Sequence, residues 1–112
     1  MDADDELFQR LTHIGGLVQR LVQAVESRLP GTEALAEPVH RLQRCFDAGK
    51  RVQLARRDER LLAADLARLA DMAQQARALC EAHRVRGRAL GTALAELHQE
   101  ALDLQRLLPH QR

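Results

Sequence analysis

The residues of this chain best suited to hold a metal or move a proton are its histidines, His13, His40, His83, His98 and His110. A metal site between helices needs a His-x-x-x-His or Glu-x-x-His pair faced by further carboxylates. Glu37-Pro38-Val39-His40 has the second spacing, but no other such pair accompanies it, so neither a metal nor another cofactor is expected. Nucleophilic catalysis needs a Ser or Cys beside an oriented base, and no such order is present. Cys45 and Cys80 fall on apolar helical faces without a C-x-x-C spacing, which suits small buried hydrophobes in a reducing compartment. The acidic pair Asp58-Glu59 stands among Arg56, Arg57 and Arg60 and reads as surface charge. No Gly-rich loop follows a strand. These patterns give no support for an enzyme.

The element that positions most of the chain is a seam of apolar and small residues at alternating spacings of four and three. It reads Leu62, Leu66, Leu69, Ala73, Ala76, Cys80, His83, Gly87, Leu90, Leu94, Leu97, Ala101, Leu104 and Leu108. Arg, Glu, Gln and Asp occupy the other faces, so the seam predicts helix packed on helix, and its residues are the candidate partner-binding surface. Two arrangements satisfy it. One is a continuous helix from about Asp58 to Leu107, roughly 75 Å long at 1.5 Å per residue. The other folds back near Gly87 into a four-helix bundle.

The whole sequence reads as one all-α domain over residues 1–112, an antiparallel helical bundle or a long helical hairpin with coiled-coil-like packing. The expected helices cover about 4–29, 37–56, 58–86 and 88–108, the last two either separate or continuous. Leu7, Leu11, Ile14, Val18, Leu21 and Val25 trace one face of the first, behind the acidic residues Asp2, Asp4, Asp5 and Glu6, which suit a helix N-terminus. Gly15-Gly16 in its middle marks a close helix crossing, a kink or a tolerated weak spot. Leu29-Pro30-Gly31-Thr32 is a loop with Thr32 as a possible cap, and Pro38 suits the first turn of the next helix. A break is expected somewhere in 47–58, with Gly49 either ending the helix as a left-handed cap or lying within it. Pro109 ends the last helix.

Composition supports this reading. Phe8 and Phe46 are the only aromatic residues, and no run of Val, Ile, Thr and rings suggests a strand. A core of Leu and Ala in a chain of this size buries little area per residue, so a homodimer or a completing partner is expected. Seventeen basic residues are mixed with sixteen acidic ones, which argues against a nucleic-acid footprint. No stretch approaches eighteen apolar residues, so no membrane insertion is expected, and the acidic start does not resemble a signal peptide, which points to the cytoplasm.

Two resemblances to known families add expectations. Ala82-His83-Arg84-Val85-Arg86-Gly87 resembles the phosphorylatable box of histidine phosphotransfer domains, in which Ala-His is followed by an apolar residue, Lys and Gly. That resemblance implies His83 as phospho-acceptor, Arg86 in place of the Lys, and Gly87 clearing space for a response regulator.

More of the chain resembles bacterial flagellar export chaperones of the FlgN type. Their first long helix ends in a Glu, then an apolar-Gly-acidic step, then another Leu-rich helix, and Gln23-Ala24-Val25-Glu26-Ser27-Arg28-Leu29-Pro30-Gly31-Thr32-Glu33-Ala34-Leu35 is similar. Where those proteins carry Asn, two residues and Asn-Gly, this chain has His83-Arg84-Val85-Arg86-Gly87, which keeps the Gly alone. The resemblance implies a non-enzymatic cytosolic protein that binds a helical terminal segment of a secreted subunit for type III export. The seam residues Leu62, Leu66, Leu69, Ala73, Ala76, Leu90, Leu94, Leu97, Ala101 and Leu104 would then receive the client helix. A phosphotransfer module using His83 and a structural coiled-coil homodimer are the alternatives.

Overall fold

The computed structural model describes residues 3–27, 33–56, 59–82 and 88–108. Within them the chain is all-α: α1 (Ala3–Glu26), α2 (Ala36–Arg56), α3 (Glu59–Ala82) and α4 (Arg88–Leu107). A 3-10 turn, Glu33–Leu35, leads into α2, and Pro38 is the third residue of that helix, where its missing N–H removes no intrahelical bond. The possible cap Thr32 and the helix-ending Pro109 lie outside the described residues.

Chain length dictates the direction of neighbouring helices. Only residues 57 and 58 separate α2 from α3, and a link that short spans about 10 Å, whereas 21 helical residues extend about 31 Å. Helix α3 must therefore return alongside α2. The same limit on residues 83–87 turns α4 back along α3. Helix α1 packs on both α2 and α4, closing an antiparallel four-helix ring.

The long-helix arrangement is therefore ruled out. Helices α3 and α4 pack side by side, and the molecule's longest extent is 43 Å, too short for the roughly 75 Å rod. A repeat of threes and fours shows that each segment buries one face; it does not show that two such faces belong to one helix. Helix α1 also stops at Glu26, earlier than expected, with the Ser27 N–H donating to Gln23 O and the Ser27 hydroxyl to Ala24 O, both at 2.9 Å. Helix α2 runs straight through Gly49 to Arg56, so that glycine is no cap.

One cluster drawn from all four helices forms the core. Ile14, Leu17 and Leu21 of α1, Leu42 of α2, Leu69 of α3 and Leu94, Leu97 and Leu104 of α4 are its largest fully buried members. Leu35 of the 3-10 turn joins them. Each contributes about 1.5–3 kcal/mol of apolar burial. Ala73, Ala76 and Ala101, also fully buried, let α3 and α4 approach closely.

The glycines of α1 and α2 divide by what they touch. A Cβ at Gly15 would sit 3.2 Å from the Phe46 ring, and one at Gly49 would sit 3.0 Å from Asp65 Oδ2, so both positions mark close helix approaches. A Cβ at Gly16 would meet nothing within 4 Å among the described residues. Gly16→Ala should therefore raise stability by about 1 kcal/mol through helix propensity. Gly49→Ala should lose that gain because Asp65 has to move. Urea midpoints compare the two, and a Gly49→Ala protein more stable than Gly16→Ala would contradict the close α2–α3 approach.

Candidate functional site: the groove between α3 and α4

Helices α3 and α4 are pinned together at mid-length by a side chain. His98 Nδ1 lies 2.9 Å from the carbonyl oxygen of Ala70, which can only accept, so Nδ1 carries the hydrogen. Toward the 82/88 end of the pair the surface opens into a groove of about 390 Å³. Arg77, Cys80 and Glu81 of α3 line one wall and Gly91, Thr92 and Ala95 of α4 the other. The small residues stand on α4 because a helix turn separates Gly91 from Ala95, leaving one strip of that helix without bulk. A Cβ at Gly91 would meet nothing within 4 Å among the described residues.

Charge is set on the α3 wall. Arg77 and Glu81 are exposed, one helical turn apart, and neither forms an ion pair among the described residues. Between them Cys80 is buried at 9% exposure, and burial first, then the nearby Glu81, pushes its thiol above the usual range. It is a free thiol and a poor nucleophile, as expected of a structural cysteine. Cys45, on α2, is likewise raised by burial and by Asp65, with Arg68 opposing, and its Sγ is 3.9 Å from Asp65 O.

A second concavity, between α1, α2 and α3 and lined by Phe46, Gly49 and Asp65 among others, holds only about 10 Å³. That is room for about one water and not for a ligand.

The expected site residues fall as follows. Leu62, Leu66, Leu69, Ala73, Ala76, Leu90, Leu94, Leu97, Ala101 and Leu104 are all buried, at 0–8% exposure, and pack against the chain's own helices. These ten residues thus help to close this bundle, while Cys80, also on the seam, lines a wall of the groove. His83, Arg86 and Gly87 of the phosphotransfer-like box lie outside the described residues, as does His110. Glu37 of the Glu-x-x-His pair is engaged by Arg44 at 3.3 Å and Arg41 at 3.8 Å. His13 pairs with Glu96 across α1 and α4 at 3.4 Å. Among the described residues no three His, Cys, Asp or Glu side chains gather in a way that could hold a metal ion.

Gly91, Thr92 and Ala95 do not stand out as a site in the sequence. Their signal is a Gly-x-x-x-Ala step lying off the seam, which marks a helix strip that a second helix can approach.

Comparison with protein-family models, curated proteins and solved structures finds no match for this chain. No helix among the described residues is long and apolar enough to cross a membrane.

Proposed function

We propose that this chain is a non-catalytic helical interaction protein that receives a helix of another protein in the α3–α4 groove. The observation that carries this reading is the groove at Gly91, where a Cβ would meet no described residue within 4 Å, beside a seam whose described members are buried against their own helices. Small residues admit a helix backbone, while Arg77 and Glu81 on the rim supply charges that fix its register.

The resemblance to FlgN-type proteins gives this reading its specific form: a bacterial cytoplasmic export chaperone whose guest is a terminal helix of a secreted flagellar subunit. The end of α1 at Glu26 and the resumption of helix at Glu33 support that form, because the resembling step spans those residues. The buried seam moves the guest's place from Leu62–Leu104 to the groove beside it.

The test is fluorescence anisotropy with labelled peptides spanning terminal helices of flagellar filament and hook-associated subunits. Saturable binding is expected, weakened at least tenfold by Gly91→Leu, with the helical circular dichroism retained. Failure of every peptide to bind would overturn the chaperone form. Binding indifferent to Gly91→Leu would overturn the groove.

A further inference from the structure

We draw no further inference here: the strongest candidate, the set of exposed apolar side chains Phe8, Leu61 and Leu107 at the end of the bundle where α1 and α3 begin and α4 finishes, carries nothing because nothing in the structure shows what covers it.

Discussion

Leu97→Asp should leave the chain largely unfolded at room temperature, while Leu97→Met should fold with wild-type helix content. Leu97 is fully buried on α4 within the cluster that joins all four helices. Removing its side chain alone costs about 2–5 kcal/mol. A carboxylate left there without a partner adds several kcal/mol more, even after its protonation is favoured by the apolar surroundings. Against a net stability of about 5–15 kcal/mol for a whole domain, that sum is decisive. Methionine keeps the volume and should cost less than about 1.5 kcal/mol. Far-ultraviolet circular dichroism with urea titration distinguishes the two, and a Leu97→Asp protein that melts within a few degrees of wild type would show that α4 does not face the core. Leu94→Asp should behave in the same way, since Leu94 is equally buried.

Phe46→Ala should destabilise the bundle by about 3–5 kcal/mol. Phe46 is the only aromatic residue in the core, and its ring lies against α1 at the position where Gly15 has no side chain. The pair should also be coupled. In the wild-type background Gly15→Ala pushes a methyl to 3.2 Å from Phe46 Cε2 and Cζ and offsets its own helix propensity. With Phe46→Leu, which vacates that space, Gly15→Ala should become stabilising by about 1 kcal/mol. A double-mutant cycle on urea unfolding reads the interaction, and additive effects would mean that the two residues do not touch.

These two cases mark how far periodicity reaches into the fold. The burial of Leu94 and Leu97 follows from the spacing of three and four, because a helix with one apolar face has only one way to hide it. That Gly15 touches a ring while Gly16 meets no described residue does not follow, since two adjacent glycines point about 100° apart and the sequence does not say which direction holds a neighbour. The reversal of direction between α3 and α4 is equally hidden. The three-and-four spacing continues in phase from Ala82 to Arg88, and the one breaker there, Gly87, is of a type tolerated within helices often enough to leave both arrangements open.

The groove is least legible of all. It depends on the lateral gap between two helices at Arg77 and Gly91, about two turns from the His98–Ala70 hydrogen bond that ties them together. Periodicity reports which face is buried and is silent on how far apart two buried faces stand.

The contact of α1 with α4, marked by His13 beside Glu96, bears on how the protein emerges from the ribosome. During synthesis α1, α2 and α3 are complete while the face of α1 that will meet α4 still has no cover. Ile14, Leu17 and Leu21 belong to a core that only the arrival of Leu94, Leu97 and Leu104 completes. Closure therefore waits on the pairing farthest apart in sequence, which carries the largest loop-entropy cost. Until then the nascent chain exposes a sticky helical face, and its yield in cells should depend on holdase chaperones more than the simple architecture of the finished bundle suggests.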